Sequence, residues 1–377
     1  MSVSYIPEKI KFRLWGKAAG RCQYSGCNRP LWLDSLTKAE FNTAYIAHII
    51  ADKPNGPRGH PELSEQLKAD ISNLMLMCDE HHRLIDREDI AGHPVERLQA
   101  MKAEHESRIE LLTSIQEEKQ SHVLLYGANI GEHSAPLSWK NAAMAMVPSY
   151  YPAESTALEL GLKNSSFQDS QDNFWDIERD HLHANFAKII KSRIANDDIQ
   201  HLSVFALAPQ PLLIELGRLL SDIPDTEIFQ LHREPQTWGW QNDGAQIEFV
   251  LTQPEGAVQS NIVALKLALS ATVTDTRIQD ILGSDVPIWS ITANNPHNDI
   301  LRHRDDLGEL RALLRQTFDR IKAAHGENAE IHVFPVLPVS AAVEVGRTWM
   351  PKADLPMVVY DQNNKKGGFC PALKIQS

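Results

Sequence analysis

Cys22, Cys27, Cys78 and His81 constrain this chain more tightly than anything else in it: a Cys-x4-Cys pair and a Cys-x2-His pair on separate segments. Thiolate and imidazole are the donors that a tetrahedral structural zinc prefers, and two close pairs far apart in sequence let one ion staple a small domain. A staple alone would not need its neighbours. His48, Asn73 and His82 are threaded between and beside the four ligands, and this His…Asn…His series makes the front of the chain a candidate active site.

The local pattern gives that site a scaffold. Tyr45 to Ile50 reads as a strand, followed by a Pro/Gly-rich loop from Asp52 to Pro61. A second strand, Asn73 to Met77, leads into a helix starting near His81 and carrying Leu84, Ile85 and Asp86. Strand, loop, strand and helix around a metal can set a histidine on the first strand opposite one on the helix. Such a pair suits phosphodiester hydrolysis. A neutral imidazole takes a proton from water, while a divalent cation binds the scissile phosphate and stabilises the leaving 3′ oxygen. Histidine fits the base role because its unperturbed pKa of about 6.5 leaves it largely neutral in the cell.

Residues 15–90, on the string AHII…NLMLMCDEHHRLID, resemble the HNH endonucleases that carry a zinc-knuckle support. The resemblance implies roles: His48 as general base, Asn73 holding the metal site or orienting the base, and His82 binding a catalytic Mg²⁺ or similar divalent cation. Cys22, Cys27, Cys78 and His81 would then hold a structural Zn²⁺, with His81 where many relatives have a second cysteine. Many relatives also carry Asp, Glu or His just before the base, where this chain has Ala47. That leaves the catalytic metal one ligand short. Asp86, one helical turn after His82, can face the same way and supply it, or can instead cap the helix or form a salt bridge. His60, His93 and His105 have no partners at ligand spacing and read as surface residues.

At 377 residues two or three domains are expected. No run approaches the ~18 apolar residues that span a bilayer, and the start lacks a secretory apolar region. The expectation is a cytoplasmic protein with no membrane partner, its clustered cysteines metal ligands and Cys370 a small, partly buried residue. Net charge is −12, which excludes indiscriminate coating of nucleic acid. Residues 1–60 hold nine Lys/Arg against four Asp/Glu, a local +5, so the remainder carries −17. A basic front can grip phosphates, or can be a solvated face of mixed charge.

Three segments are expected: residues 1–92 as the metal-bearing domain, 93–120 as a connecting helix opened by Pro94, and 121–377 as an alternating α/β region. The helix carries an apolar stripe of Val95, Leu98, Met101, Ile109, Leu112 and Ile115. The α/β region holds an internal repeat. FALAPQPLLIELGR (205–218) matches FPVLPVSAAVEVGR (334–347) at Phe, Pro, Glu, Gly and Arg, at a constant offset of 129. Each copy runs strand, Pro-containing turn, helix and strand, giving repeat halves around 200–232 and 329–362. Two such halves meet at a pseudo-twofold cleft, and ligands of α/β sheets bind beyond the strands' carboxyl ends, where helix N-termini offer N–H groups.

These repeat signatures, with Trp238-Gly-Trp240 and MVVYDQ, resemble the SAVED domain, a fused pair of CARF-like Rossmann halves that senses cyclic oligonucleotides. The HNH–SAVED order resembles the effector endonucleases of bacterial CBASS anti-phage systems. The implied fold is α+β: an N-terminal zinc-knuckle ββα-metal (HNH) domain, the connecting helix, and a C-terminal α/β SAVED domain. The implied function is a DNA endonuclease switched on by a cyclic di- or trinucleotide, cutting double-stranded DNA after ligand-driven assembly into a dimer or tetramer. Bases need flat partners and phosphates need N–H groups or cations. The candidates for stacking are Phe174, Trp175, Trp238 and Trp240, each of which can alternatively be core. Pro209, Gln210, Val339 and Ser340 sit in the post-strand turns, Asn294 and Asn295 follow a strand at 287–292, and Arg218 and Arg347 lie two turns into their helices. Two other readings stay open: a ligand-independent restriction-type HNH nuclease whose C-terminal domain recognises DNA, and a zinc-stapled binding module without catalysis.

Overall fold

The computed structural model describes residues 5–376 apart from 35, 116, 132–136, 163–166, 172, 221–224, 256–258 and 364. They fall into two units, 1–116 and 117–377.

The first unit opens with helix α1 (Glu8–Lys17) and is centred on an antiparallel pair, β1 (Tyr45–His48) and β2 (Leu74–Met77). Tyr45 lies opposite Met77 and His48 opposite Leu74. Leu74 to Met77 are all fully buried, packed with Leu14, Leu31, Ile49 and Ile85, so this short strand is the apolar centre of the unit. The helix that follows starts two residues before the expected His81: α2 (Asp79–Arg83) has Cys78 as its extended N-cap residue. Asp79 and Glu80 in the first turn suit its positive end. It runs on as a wider π turn, Leu84–Glu88.

Helix α3 (Val95–Thr113) contributes Leu98 and Met101 to the same core. Its buried face continues through Lys102 and His105, while Leu111 and Leu112 are exposed. The apolar stripe therefore serves the unit over its first half only. His93 and His105, expected at the surface, are both buried. His93 takes a hydrogen bond between Nε2 and the Tyr24 hydroxyl at 3.0 Å, and His105 Nε2 donates to the Ala18 carbonyl at 3.1 Å. Those two partners are distant in sequence and spacing alone does not reveal them, while His93 Nδ1 donates locally to Asp89 O at 2.7 Å.

Among the described residues the second unit has a small antiparallel pair, His232–Arg233 with Gln236–Thr237, and two larger sheets. One orders β3 (Gln120–Gly127), β4 (Leu202–Leu207) and β5 (Thr226–Ile228) in parallel, with short strands at Tyr151–Pro152 and Leu158–Glu159 on the far side of β3. The other comprises β6 (Phe249–Thr252), β7 (Ile262–Ala268), β8 (Ile288–Ala293), β9 (Glu330–Val336), β10 (Met357–Asn363) and β11 (Gly368–Ile375). Its order is β6-β8-β7-β9-β10-β11, parallel in the middle and antiparallel at both edges.

The repeat is visible as geometry. Helix α4 (Gln210–Leu220) links β4 to β5, and α6 (Val339–Thr348) links β9 to β10, the intervening helix α5 (Asp305–His325) preceding β9. Leu202 pairs with Thr226 in one copy and Ile331 with Met357 in the other. α4 and α6 cross at Gly217 and Gly346. A Cβ on Gly217 would lie 1.9 Å from the Val343 carbonyl oxygen, and one on Gly346 would lie 1.8 Å from that of Ile214. Residues 214 and 343, like 217 and 346, are 129 apart, so each helix makes on its partner the contact its partner makes on it. Only glycine permits that approach.

Candidate functional site

The Cys/His set is drawn together by backbone as well as by chemistry. Gln23 N donates to Leu76 O at 2.9 Å, and the Gln23 side-chain oxygen accepts from Leu76 N at 2.8 Å, so the first knuckle hangs on the strand that leads into Cys78. Gly26, at φ +82°, supplies the left-handed turn between Cys22 and Cys27. All four donor atoms lie within 4.8 Å of one another. His81 Nδ1 is 3.8 Å from Cys22 Sγ and 3.2 Å from Cys78 Sγ. Tetrahedral zinc with ordinary Zn–S and Zn–N bonds puts such atoms about 3.6 Å apart.

The electrostatics also fit a cation. Burial pushes the Cys22 thiol up to about 12 and raises Cys78 as well, so these sulfurs ionise only when a positive charge sits among them. Burial holds His81 below its ordinary value, in the neutral form that ligates metal. Its ring stacks on Tyr24 at 4.1 Å, and Tyr24 in turn leans on His93. Cys22, Cys27, Cys78 and His81 therefore fit a structural metal of zinc type.

Beside this cluster is a cleft of about 210 Å³ lined by His48, Asp52, His82, Asp86 and Arg87, with Ile46, Ala51 and Pro57. His48 Nε2 is 2.9 Å from the Lys68 carbonyl, which can only accept. The neutral ring must therefore carry its proton on Nε2 and its lone pair on Nδ1. Asn73 is buried, and its amide clips the chain just beyond His48: Ile50 N donates to Oδ1 at 2.7 Å, and Nδ2 donates to Ile50 O at 2.8 Å. Asn73 thus holds the backbone that carries His48.

Across the cleft, His82 Nε2 is 3.4 Å from Asp86 Oδ2, and the His82 ring stacks on Tyr45 at 5.0 Å. Burial lowers the His82 pKa against the opposing pull of Asp86, which favours the ligating neutral ring. The other carboxylate oxygen, Oδ1, accepts from Arg58 Nη2 at 2.7 Å. Asp86 is accordingly a salt-bridge partner, with one oxygen still beside His82. An N–O separation of 3.4 Å is one that a single cation bonded to both atoms at about 2.1 Å can span. Arg58 escaped the sequence reading, its only signal being a basic residue in the coiled PNGPRG loop.

In the second unit the turn residues converge. The Gln210 amide donates to Leu337 O and accepts from Leu337 N, both at 3.1 Å, so the two repeat helices start side by side. Ser340 N and Oγ both donate to Gln230 Oε1, at 3.2 and 2.7 Å. Gln230, a lone polar residue after a strand, carried no sequence signal. Pro209 is buried, and Val339 packs in one apolar cluster with Trp238 and Trp240.

Several stacking candidates prove to be core. Phe174 is fully buried, its ring edge-on to Trp175, which packs against the same core. Trp238 is only 5% exposed and stands in a T-shaped contact with Phe205, and it also lines a groove of about 460 Å³ with Asn141, Met144 and Gln236. Trp240 is half-buried beside His232. Asn294 and Asn295 are exposed at the end of β8, and Asn294 donates to Glu248. Both repeat arginines spend their charge on the glutamate three residues earlier: Arg218 on Glu215, Arg347 on Glu344. Among the described residues no helix is long and apolar enough to cross a membrane.

No protein of curated function matches the chain. Among solved structures it is similar to the Acinetobacter baumannii Cap4 SAVED/CARF-domain containing receptor with the cyclic trinucleotide 2'3'3'-cAAA, at 13% identity and a TM-score of 0.42, covering 83% of this chain and 61% of that one. It is similar also to the Moraxella osloensis Cap4 SAVED/CARF-domain containing receptor, at 10% identity and a TM-score of 0.42, covering 84% and 70%. The chain thus spans under two thirds of the first receptor's length. The family model of the SAVED sensor domain, described as SMODS-associated and fused to various effectors, matches residues 182–375. That is more than half of the 377 residues, and the chain, a mixed α+β protein with a C-terminal sensor domain, belongs to the SAVED family.

Proposed function

We propose that this chain is a metal-dependent DNA endonuclease of HNH type, gated by a cyclic di- or trinucleotide bound in its SAVED domain and acting in CBASS-type anti-phage defence. The observation that carries the reading is the cleft itself, where a histidine confined to the Nε2–H tautomer shares one space with His82 and Asp86. In that reading His48 Nδ1 takes the proton from the attacking water, and Asn73 keeps the base in place through the Ile50 backbone. His82 and Asp86 Oδ2 hold a divalent cation, which supplies the positive charge that the phosphodiester and its leaving oxygen require. Zinc at Cys22, Cys27, Cys78 and His81 fixes the segment on which His82 sits.

The sensor reading rests on the family, whose description pairs this domain with various effectors. A cyclic oligonucleotide would bind over the paired starts of α4 and α6, with Gln210, Val339 and Ser340 nearest. It would drive homo-oligomer assembly by binding the assembled state better, since a ligand shifts an equilibrium only through differential affinity.

The test is plasmid integrity with purified protein and Mg²⁺, across a panel of cyclic di- and trinucleotides and a ligand-free control. Degradation is expected with one or a few ligands and is expected to fall 10²–10⁴-fold in His48→Ala. Equal cutting without ligand would refute the gating, and undiminished cutting by the variant would refute the cleft. Sedimentation that shows one unchanged oligomer while activity switches on would refute assembly.

A further inference from the structure

The loop between β1 and the short helix Leu63–Leu67 is built around a buried guanidinium. Arg58 Nε donates to Ile49 O at 2.7 Å and Nη1 to Ile85 O at 2.6 Å. Nη2 donates to Asp86 Oδ1 at 2.7 Å and, more weakly, to His48 O at 3.4 Å. Four of its five N–H donors are thereby engaged, and the side chain is only 5% exposed. Two of the acceptors belong to the strand side of the cleft, at His48 and the residue after it. The other two belong to the helix side, at Asp86 and the residue before it.

The surrounding loop is shaped to deliver that side chain. Arg58 itself sits at φ +58°, an unfavourable conformation for a residue with a Cβ. Gly59 follows with its α-carbon so close that a Cβ would lie 2.3 Å from Pro54 O. Hydrogen bonds from Gly56 N to Lys53 O and from Gly59 N to Gly56 O, both 3.0 Å, coil the segment on itself. A positive φ is retained when the surroundings over-determine it, and here the four-way bond on the inner side does so.

We propose that Arg58 is the positioning residue of the cleft: its fork sets the His48 strand against the Asp86 helix and occupies one carboxylate oxygen, leaving Oδ2 turned to His82 as a single-atom ligand. This rests on the reading of His82 and Asp86 as a cation site. Lysine keeps the buried charge but lacks the planar fork that reaches several acceptors at once, so Arg58→Lys separates positioning from charge.

The experiment uses the full-length protein with Mn²⁺ as probe, its binding read by calorimetry and electron paramagnetic resonance, with zinc content measured in parallel. His82→Ala identifies the cleft's share of the Mn²⁺ signal. Groups that orient a metal ligand are worth about 10–100-fold in affinity, so Arg58→Lys is expected to weaken cleft Mn²⁺ binding by that factor while zinc stays bound. Mn²⁺ affinity within twofold of wild type overturns the proposal. Loss of zinc together with Mn²⁺ also overturns it, because Arg58 would then support the whole unit. If the wild type itself shows no His82-dependent Mn²⁺ signal, the cation reading of the cleft fails and the proposal falls with it.

Discussion

Alanine at Gly217 would place a methyl carbon 1.9 Å from Val343 O and 2.9 Å from Arg347 N. Carbon and oxygen approach no closer than about 3.3 Å without repulsion, so relief requires α4 and α6 to part by about 1.4 Å. The helices cannot part cheaply, since Leu213, Ile214 and Leu216 on one and Ala342, Val343 and Val345 on the other are fully buried. Even a 0.5–1 Å gap forfeits roughly a quarter to a half of each contact's attraction. Overpacking normally costs about 1–3 kcal/mol, and this site belongs at the upper end, about 3 kcal/mol. In a unit of this size that lowers Tm by about 6–12 °C. The pseudo-twofold adds a sharper expectation. Gly346→Ala would demand the same opening from the other side, with its methyl 1.8 Å from Ile214 O. Once the helices have parted for one methyl, the second finds room, so the double variant should cost far less than the sum of the singles. Scanning calorimetry of the full chain, following the transition of the second unit, measures all three. A single variant within 2 °C of wild type, or a strictly additive double variant, would refute the reciprocal-contact reasoning.

The metal site predicts that a strong chelator abolishes the melting transition of the first unit and leaves that of the second in place, because a structural zinc contributes folding energy directly. Chelator-resistant melting of both units would contradict it. A pH effect is expected at Asp361, whose carboxyl is pushed up to about 6 by burial and secondarily by Asp169. A raised carboxyl stabilises the fold fully below its unfolded value of about 3.8, and that contribution is lost as pH rises through about 6. Asp361→Asn should therefore melt higher than wild type at pH 7.5, by on the order of 2 kcal/mol, with the advantage shrinking below pH 6 and gone near pH 4. A pH-independent difference between the two would rule out this titration.

What the sequence made legible was whatever one dimension encodes. The Cys-x4-Cys and Cys-x2-His spacing fixes donors on two short segments, and the fold brings those four atoms within 4.8 Å. The 129-residue offset likewise carried over into a shared helix crossing, while the strand pairing shifts by two residues between the copies, Leu202 with Thr226 against Ile331 with Met357. Faces were harder to read. His93 and His105 lacked partners at ligand spacing, yet Tyr24 and Ala18, 69 and 87 residues away, each satisfy one ring nitrogen inside the core. Phe174 was equally compatible with stacking and packing, and only the surrounding helices decide that its ring is enclosed.

Arg58 shows why the rest was hidden. A basic residue in a Pro/Gly loop near a nuclease-like motif reads as a phosphate contact, and +5 of local charge encourages that reading. The backbone reverses it: the loop coils through glycines whose close contacts admit no side chain, and turns the guanidinium inward onto four acceptors. Each acceptor is a carbonyl or carboxylate whose position depends on β1 and the π turn already being in place. The residue's role is therefore a property of the assembled cleft, and its charge is spent on Asp86, where a count along the chain would have assigned it to DNA.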